Sequence, residues 1–486
     1  MFPPIGKCRA CRLREREIQR LQEALKQRDE TSERLQRRCA RLKKEQDRLR
    51  AELDETRRQA HRQANPFRRR QHKKRKKKPG RRSGHPANLR PTPEHVDRVL
   101  NVPCGLCPDC QVELVDPQIV VQYQTDLPPI MPIVTQFNIE SGWCPCCRQR
   151  RQGRHPQQTS DATGAAGNTL GPQVLTLAAE LKHRLGVPYR KICDFLETYC
   201  HLQVVPATFV RAEQRLAERA RPTYDLLIDA LRRCGVVHAD ETGWRVGTLG
   251  GWLWVFTNQD ITVYTIRAGE GARGHEVALD ILGADFDGFL IVDGFKAYDV
   301  LGYKKGQCNS HLLHRAKEQA ETAEPREQHK LHSLIALIQQ AIDLAERREH
   351  LKAADYDRRA QDIEFRFDAW LADVARARST SPELERLFQH MVNHHGEWLV
   401  FLREPDVPPT NNHAERMLRP AVITRKVGGC NKTLLGALVH SILASLMVTC
   451  RQQGKKFLEL ARQLWGRGEP QAISLVVPPQ PAEHRA

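Results

Sequence analysis

Three acidic residues that lie far apart in the chain could act together in phosphate chemistry. Asp240 and Asp293 each end a strand-like apolar run and precede a turn that contains Thr or Gly. Glu415 lies at the start of a predicted helix. Carboxylates on two neighbouring strands and on a packed helix can hold two Mg²⁺ (or Mn²⁺) ions, because these hard cations prefer oxygen ligands. Two such ions about 4 Å apart activate the attacking oxygen and stabilise the leaving oxygen in phosphodiester chemistry.

Each acid also has an ordinary structural explanation. An Asp at a strand end is often only a turn or capping residue. Glu415 follows Asn412 by three positions, which is the spacing of a capping box. The order strand–Asp, strand–Asp, insertion, helix–Glu within one chain favours the catalytic interpretation.

The segments around these acids predict an α/β domain with a ribonuclease-H-like core. The runs predicted as strands are 234–240, 251–256, 261–266, 288–293 and a weaker one near Gln307–His311, with a helix at 275–282. Three consecutive strands, a helix, a strand, a helix and a strand is the element order of that core. The charged helical stretch that follows is too long for a connection, so we expect an inserted helical subdomain.

The whole chain divides into six predicted segments. They are a coiled-coil helix (1–64), a basic disordered arm (65–90), a zinc-binding module (91–155), a helical region (165–232), the catalytic domain (233–465, with its insertion at about 315–405) and a disordered tail (466–486). In the helical region, Tyr189–Tyr199 and Pro206–Ala220 could form a helix-turn-helix that contacts DNA, or an ordinary helical hairpin of the core.

The excess positive charge lies almost entirely in the first 90 residues. They hold 31 Lys/Arg against 11 Asp/Glu, whereas the remaining residues hold 46 against 47. Such a block favours double-stranded DNA as partner. It has few large apolar residues, so we expect no membrane partner, and the apolar stretch Leu434–Val448 is predicted to be a buried helix. The residues predicted to contact phosphate here are Arg68, Arg69, Arg70, Lys73, Lys74, Arg75, Lys76, Lys77 and Lys78; the alternative is a solubilising linker.

Residues 12–62 contain no Gly or Pro and carry apolar residues in a heptad-like register. This period predicts a coiled coil that makes the chain a homodimer or a higher oligomer. Arg28, Ser32, Gln46 and Thr56 interrupt the register, so a single solvated helix is the alternative.

Paired cysteines predict a structural zinc site, since the sequence shows no signal peptide and the thiols are expected to be reduced. Two Cys-x-x-Cys pairs separated by 33 residues suit a tetrahedral Cys₄ site in a small zinc-ribbon-like module. The predicted ligands are Cys107, Cys110, Cys144 and Cys147. Cys104 is an alternative partner of Cys107, and a thiol redox centre is the rival interpretation.

Several motifs occur together in one order. They are Asp240-Glu241-Thr242-Gly243, Gly251-Trp-Leu-Trp-Val, Asp293-Gly294-Phe295-Lys296-Ala297-Tyr298, Asn411-Asn412-His413-Ala414-Glu415-Arg416 followed by Arg419-Pro420, and Arg425-Lys426. Through them the chain closely resembles the insertion-sequence-66 transposase family. The resemblance covers most of the chain from about residue 80 to about residue 465.

The resemblance implies a DDE-type recombinase that cuts transposon ends and joins the freed 3′-hydroxyls to target DNA. Asp240 would be shared by both metal ions, with Asp293 and Glu415 completing one site each. Arg416, Arg419, Arg425 and Lys426 would contact DNA, and His311 matches a family histidine that could assist at the scissile phosphate. A histidine satisfied within the core is the alternative for His311.

Two other functions fit part of the sequence. A zinc-dependent DNA-binding regulator derived from a transposase would lack catalysis, and a nuclease of the same core would cut without joining. The presence of all three acids favours the transposase over the regulator. For such an enzyme we expect a bacterial, cytoplasmic, nucleoid-associated location.

Overall fold

The computed structural model describes residues 90–376 except 104 and 117, residue 379, and residues 381–466 and 470–475, together with scattered residues between 17 and 46. Those scattered residues are all helical and exposed. Most of the predicted coiled coil and the basic run at 68–78 lie outside the described residues, and both stay predictions. The chain forms two compact units, 1–125 and 126–486, each described by itself.

In the first unit, the described residues around Cys107 and Cys110 form a tight turn. The Cys107 N–H donates to the Val112 carbonyl at 2.8 Å, and the Gln111 N–H donates to the Cys107 carbonyl at 2.9 Å. A single antiparallel bridge joins Leu106 to Glu113. The turn therefore holds the two cysteines at its tip.

The second unit contains a two-stranded hairpin and a mixed five-stranded sheet. The hairpin consists of β1 (Ser141–Cys144) and β2 (Gln149–Gln152). The sheet strands are β3 (Val236–Val246), β4 (Leu249–Thr257), β5 (Thr262–Ala268), β6 (Phe289–Val292) and β7 (Lys304–Gln307). Their spatial order is β5-β4-β3-β6-β7. The β5-β4-β3 pairs are antiparallel, and β6 and β7 add in parallel.

Helices cover the sheet, so this unit is a mixed α/β fold. The helices are α1 (Pro172–His183), α2 (Tyr189–Cys200), α3 (Pro206–Arg232), α4 (Glu276–Leu282), α5 (Asn309–Ala320), α6 (Pro325–Glu346), α7 (Ala353–Arg376), α8 (Pro382–Asn393), α9 (Asn412–Gly428), α10 (Leu434–Gln452) and α11 (Phe457–Leu464). Helices α6 to α8 occupy the predicted insertion. They bury a core that includes Leu334, Ile338, Phe367 and Phe388 and extends to Ile291 of β6.

Two details around β7 differ from the expectation. The helix expected between β6 and β7 is only a short 3₁₀ segment, Lys296–Tyr298. The strand expected near Gln307–His311 ends at Gln307, because that residue is paired with Val292, the last residue of β6. Helix α5 begins at Asn309, so His311 lies in the first turn of a helix rather than at a strand end.

Side-chain alternation along the strands separates two layers. Val237 and Ala239 of β3 pack into the large core formed with α1, α3 and α10. Trp244 and Val246 point to the opposite face, where they pack with Ala414 and Leu418 of α9. Because side chains alternate along a strand, Asp240 lies on this second face, the face that α9 covers. The expectation that Asp240 ends its strand is wrong, because β3 continues to Val246 and Thr242 and Gly243 pair with β4 instead of forming a turn.

Helix α10 lies along the free edge of β5. The hydroxyl oxygens of Ser441, Ser445 and Thr449 accept hydrogen bonds from the backbone N–H groups of Ile266, Tyr264 and Thr262. These hydroxyls satisfy an edge that would otherwise present unpaired N–H groups. Among the helices described, α10 is long and apolar enough by length and composition to cross a membrane, and 72% of its most apolar stretch is buried within the protein.

A piece of the predicted tail also contacts this unit. The Ile473 N–H donates to Thr223 Oγ1 of α3 at 3.0 Å, and Leu475 is buried. The rest of the tail, from residue 476 onward, lies outside the described residues.

Candidate active site

The parallel pairing of β3 with β6 places Asp240 beside Asp293. The paired residues are Val236 with Phe289 and His238 with Ile291, a constant offset that leads from Asp240 to Asp293 two residues further on. Residues at the same level of adjacent parallel strands project to the same face of the sheet. Asp293 is the first residue after β6, and it lies close enough for its charge to act on the carboxyl of Asp240.

Glu415, in the first turn of α9, lies close enough for its charge to act weakly on Asp240. The residue that caps this helix is Asn411, and its side chain makes no capping bond to the helix. Instead the Asn411 amide donates to the Ala239 carbonyl at 2.7 Å, and its oxygen lies 2.9 Å from His238 Nδ1. Asn411 thus fixes the start of α9 against β3, next to Asp240. The capping-box alternative for Glu415 is wrong, because the helix cap is Asn411 and not Asn412.

The electrostatics of Asp240 reflect this convergence. Burial, followed by the negative charges of Asp293 and Glu241 and more weakly of Glu415, raises the pKa of Asp240 to about 8. Hydrogen bonding from the Glu241 N–H opposes this shift only in part. Several carboxylates crowded together in a partly buried place favour either a shared proton or a bound cation.

His311 lies beside Glu415. Its Nε2 is 3.6 Å from Glu415 Oε1, and both side chains are more than a third exposed. The sulfur of Cys308, together with the carboxylates of Asp293 and Glu415, raises the pKa of His311 to about 9 against the effect of burial. In the absence of a cation, these neighbours favour the protonated form of His311 on the rim of the acidic group.

A second acid, Glu241, follows Asp240 and is paired differently. Its side chain is 2% exposed and accepts from Arg273 Nη2 at 2.8 Å. The Arg273 guanidinium lies between the rings of Trp252 and Phe295, 3.9 and 3.8 Å from their centroids. Burial still raises the pKa of Glu241. The ion pair and the two rings fix the segment that carries Asp293, because Phe295 lies two residues beyond it.

The helical insertion packs against the turn that follows Asp293. Gly294 has a φ of 86°, and a Cβ added there would lie 2.7 Å from Nε2 of His390 in α8. Burial lowers the pKa of His390 to about 4, so its ring is neutral at physiological pH. The insertion thereby brings the neutral imidazole of His390 against the backbone that follows Asp293.

The predicted DNA-contacting residues of α9 differ in their surroundings. Arg416 and Arg419 are exposed and line, with Glu415 and Asn412, an open cavity of about 500 Å³. Arg425 is half-buried and its Nη1 donates to Thr242 Oγ1 at 2.9 Å and to the Gly243 carbonyl. This nitrogen of Arg425 therefore ties α9 to β3.

Lys426 is exposed on the surface of α9. Helix α9 continues through Pro420 to Gly428, so all four basic residues stand on one helix. Their contact with DNA stays a prediction.

The two cysteine pairs fall in different compact units. In the first, backbone N–H groups of Cys110 and Asp109 lower the pKa of the Cys107 thiol. In the second, Cys144 ends β1, and the backbone N–H of Cys147 in the following turn lowers the pKa of the Cys144 thiol. Turns that direct N–H groups at sulfur favour the thiolate, which is the form that binds zinc. The zinc site itself stays a prediction.

Sequence reasoning missed three residues near the acids. Cys308 precedes His311 by three positions, and this Cys-x-x-His spacing was a visible signal. Arg273 and His390 carried no local signal, because only the folded chain brings them to Glu241 and Gly294.

Comparison with known proteins agrees with this description. The model of the family described as "Transposase IS66 family" matches residues 167–438, more than half of the chain. The chain is also 23% identical over 266 residues to y4jD, an uncharacterized protein of Sinorhizobium fredii (strain NBRC 101917 / NGR234). The match spans 49% of this chain and about half, 51%, of that relative.

Proposed function

Because the chain belongs to the IS66 transposase family, we propose that it is a DDE-type transposase that cuts transposon ends and joins them to target DNA. The observation that carries the proposal is the convergence of Asp240, Asp293 and Glu415. Asp240 lies on β3, Asp293 directly follows the adjacent parallel strand β6, and Glu415 adds its charge from α9.

A ribonuclease-H-like core is part of the proposal. Its support is the strand order β5-β4-β3-β6-β7, in which an antiparallel meander is extended by two parallel strands. The first acid then lies on the central strand and the second at the end of its parallel neighbour. This arrangement agrees with the element order predicted from the sequence.

The three carboxylates fit a pair of Mg²⁺ or Mn²⁺ ions. Their donor atoms are all oxygens, and the raised pKa of Asp240 means that added positive charge would relieve their repulsion. When bound, the ions supply Lewis-acid stabilisation of the phosphate and activation of the attacking oxygen. Asp240 would contact both ions, and Asp293 and Glu415 one each.

The reaction proposed for this site has two steps. In cleavage, a water molecule loses a proton as its oxygen bonds to phosphorus, the bond from phosphorus to the 3′-oxygen breaks, and the 3′-oxygen takes a proton to leave as a hydroxyl. In joining, the freed 3′-hydroxyl loses its proton and its oxygen bonds to a target phosphorus. The target's own 3′-oxygen leaves and takes a proton. His311, beside Glu415, would contact the scissile phosphate, and Arg416 and Arg419 would line the path of the backbone.

The remaining elements of the proposal concern assembly. The N-terminal basic run would bind DNA nonspecifically, and the heptad register would pair two chains so that two transposon ends are held together. A structural Zn²⁺ on Cys107, Cys110, Cys144 and Cys147 would fold a small DNA-binding module. The support for each of these is the sequence pattern.

The test is a strand-transfer assay with pre-nicked transposon-end DNA and Mg²⁺ or Mn²⁺. We expect joined products from the wild type and none from Asp240→Asn or Glu415→Gln. The matched control is Asp285→Asn, because Asp285 is an exposed acid of the same domain outside the site.

Other results would indicate other functions. Metal-independent DNA binding without cleavage, unchanged in both variants, would support the regulator and contradict the proposal. Nicks or breaks without joined strands would indicate a nuclease.

A further inference from the structure

We propose that Cys308, His311 and Glu415 form a separate metal site that prefers Zn²⁺ to Mg²⁺ and blocks the acidic triad by occupying Glu415. One ligand atom from each of the three residues lies within 4.8 Å of the others. The site is thus distinct from the triad but shares one carboxylate with it. Its inhibitory effect rests on the proposed function, whereas its occupancy does not.

The distances suit a tetrahedral ion after small side-chain movements. Zinc bonds of about 2.0 to 2.3 Å place neighbouring ligand atoms roughly 3.3 to 3.7 Å apart. His311 Nε2 and Glu415 Oε1 are already 3.6 Å apart. No pair exceeds 4.8 Å, so the atoms that lie furthest apart must approach by about 1 Å to bind one ion.

The set of donors determines which ion is preferred. A thiolate and an imidazole are soft or borderline ligands that bind Zn²⁺ well, whereas Mg²⁺ binds oxygen almost exclusively. Three protein ligands leave a fourth position for water, which is a common arrangement for zinc. The Cys308–His311–Glu415 group therefore separates the two metals by ligand chemistry, although both would use Glu415.

The cluster is held on rigid elements. Cys308 is buried at the junction of β7 and α5, where its sulfur accepts the Asn411 N–H at 3.1 Å. His311 lies one turn further along α5, and its buried Nδ1 has no hydrogen-bond partner in the part of the chain described. Asn411 also caps α9, which carries Glu415. One backbone amide therefore links the cysteine to the helix of the shared acid.

Occupation of this site would withdraw Glu415 from the triad. A Glu415 carboxylate held on Zn²⁺ by Cys308 and His311 would be drawn out of the position that completes the Mg²⁺ site of Asp240 and Asp293. We therefore expect Zn²⁺ to inhibit strand transfer at concentrations far below that of Mg²⁺. The same thiol would make the protein sensitive to other thiophilic ions.

Cobalt(II) titration of the full-length, chelator-treated protein tests occupancy directly. Thiolate-to-cobalt charge-transfer absorption reports a Cys ligand, and visible d–d bands report tetrahedral geometry. We expect Cys308→Ser to bind about one Co²⁺ fewer than the wild type. Cys450→Ser is the matched control, since Cys450 is also a buried thiol but lies in α10. His311→Gln, which removes a second ligand, should show the same loss as Cys308→Ser.

The inhibition arm compares each protein with itself. We expect added Zn²⁺ to lower wild-type strand transfer by about tenfold or more in excess Mg²⁺. In Cys308→Ser the ratio of activities with and without Zn²⁺ should stay near unity. If Cys308→Ser binds as much Co²⁺ as the wild type and is inhibited equally by Zn²⁺, the proposed metal site does not exist. Loss of one Co²⁺ in a protein that joins no DNA would support the site and contradict the proposed function instead.

Discussion

Asp240 lies on β3, Asp293 directly follows the last residue of the adjacent parallel strand β6, and the negative charge of Asp293 acts on the carboxyl of Asp240. The repulsion between these two carboxylates lowers the stability of the folded protein when no cation is bound. Sites that concentrate like charge for catalysis commonly do so at the expense of stability. The consequence can be measured through the pH dependence of unfolding.

Asp240→Asn should stabilise the metal-free protein at neutral and alkaline pH. The folded state holds the Asp240 proton until pH about 8, whereas the ordinary pKa is 3.8, so wild-type stability falls as pH rises between these values. We expect the variant to exceed the wild type by more than about 2 kcal/mol at pH 8 in EDTA, since one pKa unit corresponds to about 1.4 kcal/mol. Denaturant unfolding at several pH values measures the difference.

Two comparisons make this prediction specific. The advantage of Asp240→Asn should shrink toward pH 4 and in Mg²⁺, which supplies the missing positive charge. Asp285→Asn, at an exposed site, should show no comparable gain. A variant that is less stable than the wild type in EDTA at pH 8 would contradict the crowding of these carboxylates.

Arg273→Ala should destabilise the fold by about 1 to 3 kcal/mol, because it leaves the Glu241 carboxylate buried without its partner. Arg267→Ala is the matched control: the two arginines are similarly exposed, at 43% and 41%, but their acidic partners are 2% and 60% exposed. We expect the control to lose less than about 1 kcal/mol. Equal losses in urea unfolding would show that burial of Glu241 does not decide the cost.

Ser445→Ala should cost about 1 to 3 kcal/mol, because it removes the acceptor of the buried Tyr264 N–H on the edge of β5. Ser333→Ala is the control, since Ser333 likewise donates to a carbonyl four residues earlier in a helix but is exposed and serves no strand. Its effect should stay within about 0.5 kcal/mol. Faster amide exchange at Tyr264 in the first variant would locate the damage, and unchanged exchange would contradict the edge-capping role.

His440 should make the fold sensitive to acid. Burial, with the nearby His183 and Lys182, lowers the pKa of His440 well below its ordinary value of 6.5. The unfolded chain therefore binds a proton that the folded protein does not. Stability should fall as pH drops below about 6.5, by at most about 1.4 kcal/mol per pH unit for this one proton.

His440→Gln should flatten that dependence between pH 7 and pH 5. His440 belongs to a buried polar group: its Nδ1 lies 2.9 Å from His183 Nδ1, and His183 Nε2 lies 3.0 Å from Glu213. Exposed His350 provides the control, and His350→Gln should leave the slope unchanged. If both variants retain the wild-type slope, acid sensitivity arises elsewhere in the chain.

Several features could be read from the sequence because they are local. Apolar runs that end in an acid predicted β3 and β6, although β3 continues past Asp240 to Val246 and β6 ends at Val292, one residue before Asp293. The helix at Asn412–Gly428 and the long apolar helix at Leu434–Gln452 also followed from residue patterns. Strand ends and helix starts were the weaker part, and β7 ended earlier than expected because its partner β6 ends at Val292.

By itself the sequence determined the α/β class and the family and singled out the three acids as candidates, since periodicity and short motifs are properties of neighbouring residues. Only the tertiary structure decided which groups surround those acids. Arg273 pairs with Glu241, His390 closes on Gly294, and Cys308 joins His311 and Glu415 through strand pairing and helix packing. Such contacts join residues far apart in the chain, and their charge and burial, which set the pKa of Asp240, exist only once the layers have packed.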